Sequence, residues 1–265
     1  MTVALIIATY NWPEALELVL ESVKKQSLIP DEIFIADDGS NNKTADLIQK
    51  FKSKNNHLNI IHEWHEDNGY RKSTILNNCI RKIQSDYIIQ TDGDCILHKD
   101  FIKDHLHFAK KEQFICGLRA MLFPIPSSLL LQKKVKPNFL ILNVGSKFNL
   151  KYQYKSYKLA NKRSILYSIN KNDAAYGCNM SYWKEDALLV NGYNEDFEGW
   201  GPEDAEFAQR LVNAKKKLFH LRHAGILYHL HHPLLSRGMY EKNLEIYKTT
   251  IADELTYCEN GIIKE

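Results

Sequence analysis

The chain of 265 residues contains only five cysteines, and none of them forms a Cys-x-x-Cys pair. An odd number of widely spaced cysteines argues against a disulfide framework or a structural zinc site and indicates reduced thiols. No apolar run approaches the roughly 20 residues that a membrane-spanning helix needs. Because the first residues already have a strand pattern, we expect no signal peptide and a cytoplasmic location.

A strong net charge is also missing, since the formal charge is only +3 at pH 7. We therefore expect no nucleic acid among the partners. One local absence is sharper, because no Asp or Glu occurs between Gln113 and Asn172, where lysines are interleaved with tyrosines. The basic segment 133–163 is either a solvated insertion or a surface for peripheral contact with an anionic membrane or an anionic acceptor.

The most informative stretch is Tyr87-Ile-Ile-Gln-Thr-Asp92-Gly93-Asp94. An apolar run typical of a buried strand leads into two aspartates separated by one glycine. In an extended chain both carboxylates point to the same side, where they repel one another unless a cation lies between them. The stretch is either a polar turn or a site for Mn²⁺ or Mg²⁺, ions that commonly bring substrate phosphates with them.

Three further strand patterns, each followed by a helical pattern, precede this stretch: Val3–Ala8, Glu32–Ala36 and His57–Glu63. The alternation predicts an α/β fold with a mostly parallel central sheet and helices on both faces. Ligands bind at the carboxyl ends of the strands in such sheets. Polar side chains occupy three of these ends: Thr9 with Asn11, Asp37 with Asp38, and Asp92 with Asp94.

The second half of the chain carries a loop of glycine, aromatic and acidic residues, Gly199-Trp-Gly-Pro-Glu-Asp204. Pro202 fits the first turn of a helix, and the N-terminus of that helix favours ionised Glu203 and Asp204. Helix chemistry accounts for the two acids, but it does not account for Trp200 between two glycines.

Three histidines follow the last predicted strand, at positions 229, 231 and 232. They are either a source of metal ligands or incidental residues of a polar loop. An amphipathic helix from about Gly238 to Tyr257 closes the chain.

Together these residues resemble the family 2 glycosyltransferases of the GT-A fold. The motifs that carry the resemblance are Thr9-Tyr-Asn11, Asp37-Asp-Gly-Ser40, Asn68-Gly-Tyr-Arg71, Ile75-Leu-Asn77 and Asp92-Gly-Asp94. The second half resembles the C-terminal region of galactosyltransferase-like and chondroitin-polymerase-like enzymes. Its motifs are Gly177-Cys-Asn-Met-Ser181, Asn191-Gly-Tyr-Asn194, Gly199-Trp-Gly-Pro-Glu-Asp204 and Tyr228-His229. Many family members carry Arg-Asn where this chain has Leu76-Asn77, so a phosphate contact would have to come from Arg71.

The resemblance implies a single glycosyltransferase domain over residues 1–265. Its expected parts are a nucleotide-sugar-binding half (about 1–120), the basic insertion (about 121–172), an acceptor-binding catalytic half (about 173–235) and a C-terminal helix (about 236–265). The implied reaction is an inverting, metal-dependent transfer of a sugar from a nucleotide sugar, UDP-linked, to a glycan or lipid-linked acceptor. The implied setting is surface polysaccharide or lipopolysaccharide synthesis.

The resemblance also implies roles for individual residues. Asp204 would be the catalytic base. The donor-binding residues would be Thr9, Asn11, Asp38, Gly69, Arg71, Asn77 and Asp92. The acceptor-binding residues would be Asn179, Trp200, Gly201 and Glu203. The ligands of Mn²⁺ or Mg²⁺ would be Asp94 and His229, with Asp92 through a water and His231 as the alternative histidine.

Two other functions fit parts of the pattern. A nucleotidyltransferase or phosphohydrolase also uses Asp-x-Asp, although an aspartyl phosphohydrolase would place acids after the first strand, where this chain has Thr9-Tyr-Asn11. A catalytically inactive sugar- or lipid-binding scaffold would not need Asp94, Asp204 and His229 together.

Overall fold

The structure is a computed structural model that describes residues 1–147, 150–167, 175–233 and 238–264. Its strands are β1 Val3–Thr9, β2 Glu32–Asp37, β3 Ile60–Trp64, β4 Tyr87–Asp92, β5 Cys95–Leu97, β6 Gln113–Cys116, β7 Ala120–Met121, β8 Ile165–Tyr167, β9 Met180–Trp183, β10 Lys217–His220 and β11 Leu227–His229. Its helices are α1 Pro13–Val23, α2 Asn42–Lys54, α3 Lys72–Lys82, α4 Phe101–Phe108, α5 Pro124–Leu131, α6 Phe139–Asn143, α7 Leu150–Gln153, α8 Tyr157–Arg163, α9 Lys184–Leu189, α10 Glu203–Asn213 and α11 Tyr240–Ala252.

The central sheet has the strand order β3-β2-β1-β4-β9-β6-β10-β8. Its first four strands are parallel, and the register pairs Thr9 with Asp37 and Ala8 with Asp92. The carboxyl ends of β1, β2 and β4 therefore meet at one edge of the sheet, as the sequence predicts. Beyond β4 the sheet turns antiparallel, because β9 pairs in the opposite direction with both β4 and β6. The predicted fold class is confirmed.

The hydrophobic core lies on both faces of this sheet. The odd-numbered positions of β1, such as Leu5, pack with α1 and α2, and its even-numbered positions, such as Ile6, pack with α3 and α10. A strand buried on both faces needs a continuous apolar sequence, and this explains the unbroken run of β1.

A second sheet brings the C-terminal histidines to the aspartates. It has the order β5-β11-β7, and its antiparallel register pairs His229 with Cys95. The backbone N–H of Leu230 donates to the carbonyl of Asp94 at 2.9 Å. This pairing places His229 beside Asp94, although 134 positions separate them in the sequence.

Two predicted boundaries differ from the structure. The last helix is shorter than predicted, and Glu254 just beyond it has a φ of +50°, which is a left-handed conformation that stops helical hydrogen bonding. The strand predicted from His57 begins at Ile60, because residues 55–58 form a turn closed by the Leu58 N–H and the Asn55 carbonyl.

Among the described residues of the basic insertion, α5, α6 and α7 pack around the second sheet, whereas β8 pairs with β10 at the edge of the central sheet. In the described part of the chain, none of the helices has the length and apolar character needed to cross a bilayer.

Asn77 joins the two halves of the chain and does not reach a ligand site. It is completely buried, its Nδ2 donates to Tyr193 O at 2.8 Å and to Glu195 Oε1 at 2.9 Å, and its Oδ1 accepts from Tyr193 N at 2.8 Å. This geometry does not fit the donor-binding role expected for Asn77, because every polar atom of its side chain is used inside the protein.

We expect Asn77→Ala to lower the free energy of unfolding by roughly 1–3 kcal/mol, because it leaves the Tyr193 N–H buried without its acceptor. Urea denaturation measures this change. Asn78→Ala is the control, since Asn78 is half-buried and its side chain accepts a hydrogen bond from Arg81 on its own helix. Unchanged stability together with weaker nucleotide binding would restore the donor-binding role.

Candidate active site

A cavity of about 570 Å³ opens at the carboxyl ends of β1, β2 and β4. Both halves of the chain contribute to its wall. The predicted site residues that line it are Thr9, Asp38, Asp92, Asp94, Trp200, Gly201, Glu203, Asp204 and His229.

Asp38 and Thr9 form the end of the cavity next to β1 and β2. The Asp38 carboxylate accepts hydrogen bonds from His65 Nε2 at 2.7 Å and from the Arg71 N–H at 2.9 Å. Burial raises the pKa of Asp38, and these two donors partly offset that effect. Gly93 packs against this corner, where an added Cβ would lie 2.9 Å from Thr9 Oγ1.

Besides Asn77, three residues expected at the donor end do not line the cavity. Asn11 ties two loops together, since its N–H donates to Ser40 Oγ and its Oδ1 accepts from Asn41 N. Gly69 supplies a turn with a φ of +77°. The Arg71 guanidinium lies 3.1 Å from Glu198. The side chain that was expected to contact phosphate thus contacts a carboxylate of the protein.

Lys72 places a positive charge among the acids of the cavity. Its Nζ lies 3.2 Å from Asp204 Oδ2, 3.4 Å from Asp92 Oδ1 and 3.6 Å from Glu203 Oε1. Burial lowers the pKa of Lys72, but the charges of Asp204 and Asp92 outweigh burial and hold that pKa well above its usual value. A single ammonium group thus balances carboxylates that come from both halves of the chain.

Lys72 is the functional residue that the sequence interpretation missed. It is the first residue of α3, where the helix dipole disfavours a positive charge. A lysine at a helix N-terminus that follows a conspicuous loop is a signal that could have identified it.

One carboxylate and two histidines form a candidate metal centre. Nε2 of His229 lies 3.5 Å from Asp94 Oδ2, and Nε2 of His232 lies 3.3 Å from the same oxygen. Each ring places its Nδ1 against a backbone carbonyl, of Leu230 for His229 and of Pro233 for His232. A carbonyl at Nδ1 fixes the neutral tautomer whose Nε2 lone pair is free to bind a metal.

His231 does not belong to this centre. Its side chain is exposed, and its backbone N–H donates to Ser127 Oγ. The potential ligand atoms of Asp94, His229 and His232 all lie within 4.8 Å of one another. The alternative histidine is therefore His232, because His229 and His232 approach the aspartate together while His231 faces outward.

The acid pair lies at the N-terminus of α10. Asp204 accepts from Lys72 and, at 3.4 Å, from Gln90 Nε2, and its carboxylate occupies the space that a side chain at Gly177 would fill. Glu203 is buried next to the hydroxyl of Tyr70. Burial and the charge of Asp204 raise the pKa of Glu203 to about 7, although the positive charge of Lys72 lowers it in part.

Helix α11 holds the Trp200 loop in place. The Asn243 amide donates to Glu198 O at 2.9 Å and to Trp200 O at 3.2 Å, and the Trp200 ring stacks on Tyr240 at a centroid distance of 5.3 Å. Tyr240, Leu244 and Tyr247 of α11 also line the cavity, and the sequence interpretation did not anticipate them.

Asn179, which was expected to bind the acceptor, is buried under the cavity wall. Its Nδ2 donates to the carbonyls of Leu118 and Gly225, and its Oδ1 lies 3.0 Å from His105 Nε2. Through these contacts Asn179 connects the segments that contain His105, Leu118 and Gly225.

A mostly parallel sheet continued by an antiparallel strand, with an acidic pocket at the strand ends, agrees with the GT-A fold that the sequence motifs predict. Residues 4–172, more than half of the chain, match the family described as Glycosyl transferase family 2. The chain therefore belongs to this family. Residues 164–233 match the family described as N-terminal domain of galactosyltransferase, so both parts of the resemblance are confirmed.

Curated relatives agree with this assignment. The chain is 24% identical over 243 residues to chondroitin synthase of Pasteurella multocida (strain Pm70), covering 87% of this chain and 25% of that protein. It is 24% identical over 220 residues to validoxylamine A glucosyltransferase of Streptomyces hygroscopicus subsp. limoneus, covering 78% of this chain and 47% of that protein. The chain thus spans between a quarter and half the length of these relatives.

Solved structures show the same fold. TarS 1–349 of S. aureus in complex with UDP-GlcNAc has a TM-score of 0.69 at 16% identity, covering 96% of this chain and 66% of that chain. Mannosyltransferase PcManGT from Pyrobaculum calidifontis, in complex with GDP-Man and Mn²⁺, has a TM-score of 0.59 at 15% identity, covering 95% of this chain and 62% of that chain.

We expect Lys72→Met to destabilise the protein by roughly 3 kcal/mol at pH 8, because it leaves buried carboxylates without their counter-ion. The loss is smaller at pH 5.5. The folded state already raises the pKa of Glu203 from 4.5 to about 7, and removal of Lys72 raises it further. A carboxyl group whose pKa is higher in the folded than in the unfolded protein lowers the free energy of unfolding once the pH exceeds the unfolded pKa. This loss of stability becomes smaller as the pH falls.

Urea denaturation of both proteins at the two pH values measures this difference. Arg71→Met is the control, because its pair with Glu198 is half-exposed and contributes little. A destabilisation by Lys72→Met that did not change with pH would contradict the assignment of Lys72 as the counter-ion.

Proposed function

We propose that this domain transfers a sugar, with inversion, from a UDP-sugar to a hydroxyl group of a glycan or lipid-linked acceptor in surface polysaccharide or lipopolysaccharide synthesis. The observation that carries the proposal is that three groups of residues line one pocket. Asp38 lies at one end, the group of Asp94, His229 and His232 faces the same cavity, and the acid pair of α10 lines its wall.

The names of the relatives support the choice of donor and product class. TarS has been crystallised with UDP and with UDP-GlcNAc. Chondroitin synthase and the poly-beta-1,6-N-acetyl-D-glucosamine synthase of Staphylococcus aureus (strain COL) are named for polysaccharides, and the latter is 33% identical over 98 residues, 37% of this chain and 23% of that protein. A polysaccharide or its lipid-linked precursor is therefore the acceptor class that we propose.

Asp94, His229 and His232 fit a divalent transition metal. Imidazole nitrogen suits Mn²⁺ better than Mg²⁺, which prefers oxygen ligands. Of the two ions predicted, Mn²⁺ is therefore the one we propose. Bound there, it would stabilise negative charge on the departing diphosphate.

The residues of the chain have separate proposed roles in proton transfer, acceptor binding and phosphate binding. Asp204 takes the proton of the acceptor hydroxyl as that oxygen attacks the anomeric carbon. Trp200 offers an aromatic face to the acceptor sugar, and Glu203 holds one of its hydroxyls. Lys72 supplies positive charge close to Asp92, and we assign to it the phosphate contact first expected of Arg71. A single base and a separately bound leaving group imply one displacement with inversion.

Glu203 is the alternative base. Its pKa of about 7 is suited to proton transfer near neutral pH, whereas the carboxylate of Asp204 is already paired with Lys72. Asp204 remains the proposed base because it shares contacts with Lys72 and Gln90 in the open pocket, while Glu203 is almost fully buried.

We expect His232→Ala to weaken Mn²⁺ binding by roughly 100-fold, because it removes one of the ligands. Electron paramagnetic resonance of free Mn²⁺ measures the affinity without any substrate. His231→Ala is the matched control and should bind Mn²⁺ like the wild type.

Asp94→Ala should abolish sugar transfer, and full wild-type activity in excess EDTA would rule out the metal centre.

We expect Asp204→Asn to lower kcat by roughly 10²–10⁴-fold with donor affinity nearly unchanged, because the amide keeps the size of the side chain and loses its basicity. Glu203→Gln should mainly raise the KM of the acceptor. In the wild type that KM should rise as pH falls below about 7, where Glu203 takes up a proton, and Glu203→Gln should remove this dependence.

Steady-state kinetics with UDP release as readout separate the two roles. If Glu203→Gln loses transfer while Asp204→Asn stays within a few-fold of the wild type, Glu203 is the base. If both variants are near the wild type, the base is a different residue.

A further inference from the structure

Large apolar side chains lie on the outside of the segment that follows β6. Leu122 and Ser146 form an antiparallel bridge and are both buried. Because side chains alternate along an extended chain, Met121 and Phe123 point outward on either side of Leu122. The N–H of Lys147 donates to Met121 O at 3.3 Å, so Lys147 belongs to the same outer face.

The ends of two short helices extend this face. Ile125, in the first turn of α5, is 74% exposed. Leu140 on α6 and Val144, the residue that follows α6, are 67% and 68% exposed. The end of α6 meets the start of α5, since a Cβ added at Gly145 would lie 2.9 Å from the Pro126 Cβ. We call the exposed apolar group the outer patch: Met121, Phe123, Ile125, Leu140 and Val144.

Exposed lysines lie in the same segment of the chain as the outer patch. Lys134, Lys136 and Lys147 are exposed, and no acidic residue occurs in the sequence from 113 to 172. Lys133 reaches outside the segment to Glu17 at 2.7 Å. A contiguous apolar patch is uncommon on a protein surface without a binding role.

The later part of the basic segment has a different role. Lys155 lies 2.7 Å from Asp100 and 2.9 Å from Asp104, and the Tyr157 hydroxyl donates to Asp104 at 2.8 Å. These residues attach the insertion to α4. Lys155 of the segment 133–163 is therefore held by the acids of α4, whereas Lys134, Lys136 and Lys147 are exposed and lie close in the chain to residues of the outer patch.

We propose that the outer patch docks on an anionic lipid bilayer. Its apolar side chains enter the interfacial layer, and Lys134, Lys136 and Lys147 contact the anionic headgroups. The combination favours a bilayer because headgroups attract the lysines while the layer beneath accepts the apolar side chains. This inference does not depend on the proposed reaction.

The position of the outer patch adds a consequence. Met121 pairs with His229 in the second sheet, and the Leu122 N–H donates to His229 O at 2.9 Å. Docking would therefore hold the pocket next to the bilayer surface, where a lipid-linked sugar is presented.

Co-sedimentation with vesicles tests the proposal on the whole chain. Vesicles of phosphatidylcholine are compared with vesicles that also contain phosphatidylglycerol, at about 0.1 M salt. The wild type should bind the anionic vesicles more tightly. Lys134→Gln with Lys136→Gln should weaken this binding by roughly tenfold. The matched control is Lys24→Gln with Lys25→Gln, which removes the same charge from an exposed pair at the end of α1.

The apolar part is tested in the same assay. Phe123→Ser with Ile125→Ser should also lower binding by roughly tenfold. Its control is Leu188→Ser with Leu189→Ser, an exposed apolar pair on α9, which should not change binding. Thermal unfolding of each variant shows whether the fold survives, and binding is compared among folded variants.

Three results would overturn the proposal. Equal binding to neutral and anionic vesicles would remove the role of charge. Equal losses from the two lysine pairs would show attraction to the whole surface and no defined site. Self-association in sedimentation velocity that Phe123→Ser with Ile125→Ser abolishes, without vesicle binding by the wild type, would identify the outer patch as an interface between copies.

Discussion

The ion cluster around Lys72 is the constraint on which the site depends. Asp92 comes from the first half of the chain, whereas Glu203 and Asp204 come from the second half, and all three approach one ammonium group. Opposite charges about 4 Å apart attract by about 4 kcal/mol at the effective dielectric of such sites, which offsets the desolvation of the pair. Without this cation the two acidic loops would repel each other, so Lys72 links the halves while leaving the carboxylates facing the cavity.

Packing around the cluster keeps its members in position. Gly177 leaves the space that Asp204 occupies, and Gly93 lets the end of β4 lie against Thr9. Helix α11 fixes the backbone of the Trp200 loop through one asparagine amide. The wall of the cavity on the acceptor side is thus set by a helix that carries none of the motifs, and its tyrosines belong to the pocket as much as Trp200 does.

The candidate metal centre and the outer patch share one small sheet. Strand β11 carries His229 to Asp94 on one side, and on the other it pairs with β7, where the outer patch begins. The geometry therefore connects the chemistry of the leaving group to the surface that we assign to the bilayer. A glycosyltransferase that acts on lipid-linked acceptors gains from such an arrangement, because the acceptor hydroxyl is presented at a fixed depth relative to the pocket.

The sequence by itself determined the strands β1, β2 and β4 and the acids that follow them, because buried parallel strands need unbroken apolar runs and their carboxyl ends must share one edge. It also determined that Glu203 and Asp204 open α10 directly after the Trp200 loop. Only the tertiary structure showed that His232, and not His231, lies beside Asp94, and that Lys72, and not Arg71, faces the cavity. It also showed that Asn77 and Asn179 are buried. Neighbouring residues of one type are equivalent in a sequence, and which of them faces the pocket depends on backbone direction and on contacts with distant segments such as Glu198, Tyr193 and Ser127.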